Sequence, residues 1–462
     1  MTKYTLLFVL LVSIVACAPL SEVSSPAANP KVILIVGDGM DDQQITMGRN
    51  YLHGNAGRLV MDDMPYRGAA QVRTVAEDDP RRPVYVGDSA SGGTALATGV
   101  VTSVGRIGTT ANNDEDVVTI MELAQAAGLR TGIATTSTVV NATPAAFLTH
   151  VGSRYCTVPR MMVFEDEQFP QDSADCSDDD IANGGAGSIA EQLAVSNIDI
   201  LLGGGSRAFD EFIEGSETTS ILQLAQQNGF RIARDLDDLA DVPATEKILG
   251  LFSPGTMPVK SRGSGGRKAE FIERDENGVV WPEPFACEDN PGFANTPTLA
   301  GMTRSALAHL GEDSGFMLMI ESASIDKEAH DWRPCGSIGE VGQLDEALQV
   351  ALDYAEIHPE TLILVTADHG HGAHITPQIA DLALQGFATP GRFARVMTPE
   401  GGVMGVNYAT TDSPHWEEHS GVQVPVYGYG PGVTDLPNYL HQGDIFHIAA
   451  KHLGLDDSSS SQ

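Results

Sequence analysis

The 462-residue chain is poor in positive charge: 27 lysines and arginines stand against 62 aspartates and glutamates, a formal net charge of -35. That balance excludes a diffuse basic surface of the kind that holds nucleic acid or anionic lipid, because both are bound by neutralising phosphates. A small anion remains open to it, provided metal cations and a placed arginine reverse the field locally. The apolar run near the N-terminus, residues 6–16, has eleven positions, where a membrane-spanning helix needs about 20. There is no internal repeat, which excludes a repeat array. Cysteine is scarce too, with five in the chain.

What is present at the N-terminus has the layout of an export signal: Lys3, the short apolar run, then small residues. Residues 14–17 read Ile-Val-Ala-Cys and resemble a lipobox, which makes Cys17 a lipid-anchor candidate; a cut after Ala18 is the alternative, since Ala16-Cys17-Ala18 fits the small-x-small pattern. Either route takes Cys17 out of disulfide pairing. Four cysteines remain, and an even number in an exported chain suggests two bridges, with local pairing, Cys156–Cys176 and Cys287–Cys335, as the simplest choice.

Residues 18–30 are a Ser/Pro/Ala-rich tether, residues 31–456 are expected to form a single domain, and residues 457–462 are a polar tail. Short apolar runs at 32–36, 131–134, 316–320 and 362–365 have the composition of buried parallel strands. Helical periodicity at 117–127, ending before Gly128, and at 341–356 lies between them, so the fold class is α/β: a doubly wound, mostly parallel sheet with helices on both faces. Residues near 262–295 and 385–413 read as insertions off that sheet.

Metal-competent groups follow each of those runs: Asp38; Asn141 and Thr143; Glu321 and Asp326; Asp368 and His369. In an open α/β sheet ligands bind at the carboxyl ends of the strands. Taken singly, each such residue is an ordinary cap or turn residue; their recurrence carries the signal. Asp326 and His330 are four apart, one helical turn, and so able to face one cation. Mixed nitrogen and oxygen ligands, with His419 late in the chain, suit zinc, whereas Asp38, Thr143 and Glu321 offer the oxygens that magnesium prefers. Ser89 stands at the head of a small-residue run, GDSASGGTA at 87–95, able to open a helix whose free N–H groups attract an anion; taken alone the stretch allows Ser89 to be merely a cap. Arg154 is able to fork onto two phosphate oxygens, or to be a surface arginine.

These segments, in this order, resemble the alkaline phosphatases, most closely the periplasmic bacterial ones. The motifs are VGDGM (36–40), DSASGGTALATG (88–99), ATPAAFLTHVGSR (142–154), ESASIDKEAHDWRPCGSIGE (321–340), VTADHGH (365–371) and EEHSG (417–421). The resemblance implies a periplasmic homodimer that hydrolyses phosphate monoesters through a phosphoserine, with two zinc ions and one magnesium ion per subunit. It assigns Asp326, His330 and His419 to the first zinc and Asp38, Asp368 and His369 to the second. Asp38, Thr143 and Glu321 fall to the magnesium, Ser89 to the nucleophile and Arg154 to the phosphate clamp. Lys327 is kept, and His371 reads as a partner of ligands rather than a ligand; His374 and His415 receive no role. Asn141 stands where the periplasmic enzymes carry aspartate, which removes a charge beside the magnesium. The tether is also much shorter than the arm with which those enzymes embrace the second subunit. A phosphodiesterase or sulfatase of the same superfamily is the nearer alternative, and a non-catalytic phosphate-binding surface protein the remoter one.

Overall fold

The computed structural model describes residues 29–167, 173–239, 242–275, 278–377, 391–411 and 413–455. The export signal with Cys17, nearly all of the tether, residues 385–390 of the second insertion and the polar tail lie outside the described residues.

Ten strands form the central sheet: β1 (Lys31–Gly37), β2 (Tyr66–Gln71), β3 (Arg130–Thr138), β4 (Ile200–Gly204), β5 (Phe230–Ala233), β6 (Lys247–Leu251), β7 (Phe316–Ser322), β8 (Thr361–Ala367), β9 (Val424–Tyr429) and β10 (Tyr439–His441). Their order is β10-β2-β9-β8-β1-β7-β3-β4-β6-β5. Only β9 runs antiparallel to its neighbours. Every residue of β1, β7 and β8 is buried, which is why these segments read as unbroken apolar runs rather than alternating ones.

Helices α1 (Asp42–His53), α2 (Ser89–Thr98), α3 (Ala142–Ala146), α4 (Leu299–Leu310), α5 (Ser324–His330), α6 (Pro334–Ile357) and α7 (Gln442–Leu453) flank the sheet. The long α6 packs on α1, α4 and α5, and α2 packs on α3 and α7. Two expected boundaries move. The helix read at 117–127 begins at Ile120, after a Thr119 side chain that accepts from Glu122 N; Gly128 follows it at φ +76°. The helix read at 341–356 begins at Pro334, because residues 334–341 are buried all round and show no amphipathic period.

Register positions the chemistry. Gly37 lies opposite both Ser322 and Ala367, and Glu321 lies opposite Val36 and Thr135. The carboxyl ends of β8, β1 and β7 therefore finish level, and Asp38, Glu321 and Asp368 emerge side by side. Away from this sheet, Glu270–Phe271, Arg392–Met397, Val403–Tyr408 and Ala373–Ile375 form a four-stranded antiparallel sheet over a second apolar cluster that includes Trp332, Val406 and Tyr408. The disulfides are Cys156–Cys176 and Cys287–Cys335, as expected, and the second ties the 262–295 excursion to the start of α6.

Candidate active site

Asp88, not Ser89, caps α2: its carboxylate accepts from Ser91 N at 3.0 Å, so Ser89 is the first helical residue. The Ser89 hydroxyl is 3.3 Å from Asp38 Oδ1 and 3.2 Å from His369 Nε2. Helix α2 can come this close only because Gly92 has no side chain; a Cβ there would lie 2.4 Å from the Asp368 carbonyl oxygen. Arg154 Nη1 donates to Asp88 Oδ2 at 2.9 Å. Burial opposes the Arg154 charge, but the Asp88 carboxylate outweighs it and keeps the guanidinium protonated. Burial likewise works against the Asp88 anion, and Arg154 with the Ser91 and Gly105 amides holds that carboxyl below its ordinary value.

Around this serine two groups of side chains each bring ligand atoms within 4.8 Å of one another: Asp326, His330, His371 and His419 in one, and Asp38, Asp368 and His369 in the other. Asp326 Oδ1 has His330 Nε2 at 3.3 Å, His419 Nε2 at 3.4 Å and His371 Nε2 at 3.3 Å, yet makes no aligned hydrogen bond. His419 Nε2 and His330 Nε2 face each other at 3.1 Å. In the other group His369 Nε2 is 3.3 Å from Asp38 Oδ1 and 3.6 Å from Asp368 Oδ2.

Backbone carbonyls fix the imidazole tautomers. The Nδ1–H of His330 donates to Glu417 O, that of His369 to Gly370 O and that of His419 to Gly87 O, so each Nε2 presents its lone pair to the site. His371 is reversed: its Nδ1 accepts from Gly372 N at 2.7 Å, which puts the proton on Nε2.

Asp38 Oδ2, Thr143 Oγ1 and Glu321 Oε1 are buried oxygens without hydrogen-bond partners. Lys327 Nζ approaches this set, 3.9 Å from Asp38 Oδ2 and 3.4 Å from Asn141 Oδ1. Asn141 occupies the cap position of α3 but its side chain makes no cap bond. Burial, with the nearby Asp38, pushes Glu321 up to about 7. Burial also lifts Asp368 well above the ordinary carboxylate range, again reinforced by Asp38. His369 loses basicity to burial but regains more from Asp368, Asp38 and Asp326, and stands at about 10. A site that drives carboxylates and an imidazole toward protonation in this way wants positive charge, and the lone pairs aimed inward suit cations better than protons.

A model of the family described as "Alkaline phosphatase" matches residues 29–413. The chain belongs to the alkaline phosphatase family. As an alkaline phosphatase it is a metal-dependent phosphoric monoester hydrolase. It is 40% identical over 456 residues to streptomycin-6-phosphate phosphatase of Streptomyces griseus, covering 96% of this chain and 95% of that one. It is 36% identical to the alkaline phosphatase of Escherichia coli (strain K12), over 93% of this chain and 87% of that one. The fold is similar to that of the alkaline phosphatase from the Antarctic bacterium TAB5, with a TM-score of 0.65 at 22% identity over 93% of this chain and 99% of that one. Against the Thermus thermophilus alkaline phosphatase the TM-score is 0.64 at 18% identity, with 96% of each chain covered.

In this alkaline phosphatase the structure brings the expected metal-ligand candidates, Ser89, Arg154, Asn141, Lys327 and His371 into one region, drawn from segments up to 381 positions apart (419 − 38), while Cys17 lies outside the described residues. Sequence reading missed Asp88 as the partner of Arg154, although it lies in the DSASGG motif. It also missed Asp41, a buried carboxylate that accepts from Gln43 N and Gln44 N and from His371 N, and the buried Trp332 and Glu417, which no local pattern marks.

Proposed function

We propose that the chain hydrolyses phosphate monoesters through a phosphorylated Ser89 at a site that holds two zinc ions and one magnesium ion. The observation that carries this reading is the Ser89 hydroxyl lying 3.2 Å from His369 Nε2 and 3.3 Å from Asp38 Oδ1, inside the second cluster rather than beside it.

The donor sets fit. Ligands 2.0–2.1 Å from a tetrahedral zinc ion lie about 3.3–3.4 Å from one another, and the separations that involve His330, His419 and His369 within the two sets run from 3.1 to 3.6 Å. Asp326, His330 and His419 would hold one zinc, and Asp38, Asp368 and His369 the other. The tautomer of His371, with its proton on Nε2, supports its reading as a partner of ligands rather than a ligand. The three unpartnered oxygens of Asp38, Thr143 and Glu321 suit magnesium. Bound cations would supply positive charge that acidifies nearby hydroxyls and stabilises developing negative charge on phosphoryl and leaving oxygens.

The chain's own groups do the rest. Ser89 would attack phosphorus without an imidazole base: its hydroxyl proton passes to solvent, and the ester P–O bond breaks as the Oγ–P bond forms. The alcohol leaves with a proton, and water then cleaves the phosphoserine to inorganic phosphate and free Ser89. Arg154, held by Asp88, presents its remaining N–H groups to the equatorial oxygens, and the N-terminus of α2 adds backbone amides other than that of Ser91, which Asp88 takes. Lys327 brings a cation to the side where Asn141 replaces a carboxylate. The relationship to a streptomycin-6-phosphate phosphatase, together with the net charge of -35, supports esters of cationic alcohols among the substrates.

Export to the periplasm, a lipid anchor at Cys17 and a homodimer complete the proposal. Two disulfides support export, and among the described residues no helix is long and apolar enough to cross a membrane. The test is steady-state hydrolysis of an aryl phosphate monoester and the matching diester, with and without zinc. Zinc-dependent turnover confined largely to the monoester is expected; a preference for the diester moves the chain to the phosphodiesterase reading.

A further inference from the structure

Glu417, whose carbonyl fixes the His330 tautomer, has a carboxylate that the chemistry above does not use. Its backbone N–H donates to His330 O at 3.0 Å and its backbone carbonyl receives the His330 Nδ1 proton. Its carboxylate is buried and takes three donors: Trp332 Nε1–H at 3.1 Å on Oε2, and Thr410 N–H at 2.7 Å and Oγ1–H at 2.6 Å on Oε1. Gly372, next to His371, packs so closely that a Cβ there would lie 2.7 Å from Glu417 Oε1. One residue thus touches all three segments that supply Asp326 and His330, His371, and His419.

Trp332, two positions after His330, has φ +59°, a conformation that a bulky residue keeps only when its surroundings over-determine it. They do so here. The indole is buried, its N–H is bound to Glu417, the Arg392 guanidinium lies 3.9 Å from the ring centroid and Lys268 Nζ 4.8 Å. Arg392 is itself placed between this ring and Phe271, whose centroid is 4.0 Å away. The strained turn fixes where α5 ends, and with it His330.

We infer that Glu417, through its bond to the Trp332 indole, is a positioning residue that holds His330 against His419 and so sets the grip of the first cluster on its cation. The inference rests on the zinc reading of that cluster. Two imidazole lone pairs facing each other at 3.1 Å repel unless a cation lies between them. A scaffold that forces the approach raises cation affinity, because the ligands need not be gathered on binding.

The test uses purified holoprotein with Trp332→Phe, which keeps the ring and removes the N–H, and separately Glu417→Gln, which keeps shape and backbone contacts but replaces one acceptor with a donor. Zinc release to excess chelator is followed with time. Both variants are expected to lose one zinc per chain about 10–100-fold faster than wild type, with the second zinc released at an unchanged rate and activity restored by saturating zinc. Wild-type release from both variants overturns the inference. So does equal acceleration of both ions, which would mean a general loosening of the fold. A wild-type protein that binds no zinc fails at an earlier point and removes the zinc reading itself.

Discussion

Arg154 and Asp88 form an ion pair, Nη1 to Oδ2 at 2.9 Å, one residue from the Ser89 hydroxyl. The pair orients the guanidinium, and each charge depends on the other. Arg154→Ala is expected to weaken inhibition by inorganic phosphate at least about 10-fold through loss of two charge-assisted bonds. It should also destabilise the fold by about 3 kcal/mol, by stranding a buried carboxylate. Adding Asp88→Asn should recover most of the stability and none of the phosphate affinity. Thermal unfolding together with phosphate inhibition separates the two effects.

Ser89→Ala should abolish the phosphoenzyme and reduce kcat by several orders of magnitude while leaving zinc content intact, because the hydroxyl uses the clusters and does not build them. Burst kinetics at the wild-type amplitude in this variant would refute the serine nucleophile.

Asn141→Asp should tighten magnesium binding. The side chain faces Lys327 Nζ at 3.4 Å, near the Asp38, Thr143 and Glu321 oxygens, and makes no cap bond that the substitution would disturb. A carboxylate there adds negative charge beside the third site. Titration of magnesium into metal-depleted wild type and variant measures it; equal affinities would show that position 141 does not influence the metal.

Asp345 gives a pH signature remote from the site. Burial pushes it up to about 6, opposed by the Val60 amide that it accepts from. Its folded value exceeds its unfolded one, so the associated stability is full below about pH 4 and is lost as pH rises through about 6, a change on the order of 3 kcal/mol. Asp345→Asn keeps the acceptor and removes the titration. Unfolding midpoints measured from pH 4 to 8 should fall less steeply in the variant than in wild type.

Replacing Cys287 and Cys335 together by serine should cost about 4 kcal/mol, and Cys156 with Cys176 about 3 kcal/mol, from the entropy of loops of 48 and 20 residues. Chemical denaturation under oxidising conditions gives both values.

The central strands were legible because β1, β7 and β8 are covered on both faces, so their burial appears directly as apolar runs. Peripheral strands such as β2, YRGAAQ, and the edge strand β10, YLH, carry no such run and are defined by their partners alone. The same logic divides the site. Ligand types at strand ends could be read off one segment at a time, as at Asp38 and Asp368. The proton on His371 depends on the amide of Gly372, the orientation of Arg154 on Asp88, and the setting of His330 on a glutamate 87 positions later. Such dependences join segments whose proximity exists only in three dimensions.

Gly92 and the Asp368 carbonyl meet backbone to backbone, which leaves no side chain between α2 and the end of β8 to act as a cushion. The reach of Ser89 to the second cluster is therefore machined into the main chain. Repacking of neighbouring side chains, by mutation or by warming, has little leverage on it; even Gly92→Ala would have to drive the helix bodily off the strand. Variation among substrates must then be accommodated outward, away from Ser89, while the spacing of its hydroxyl from Asp38 and His369 stays constant.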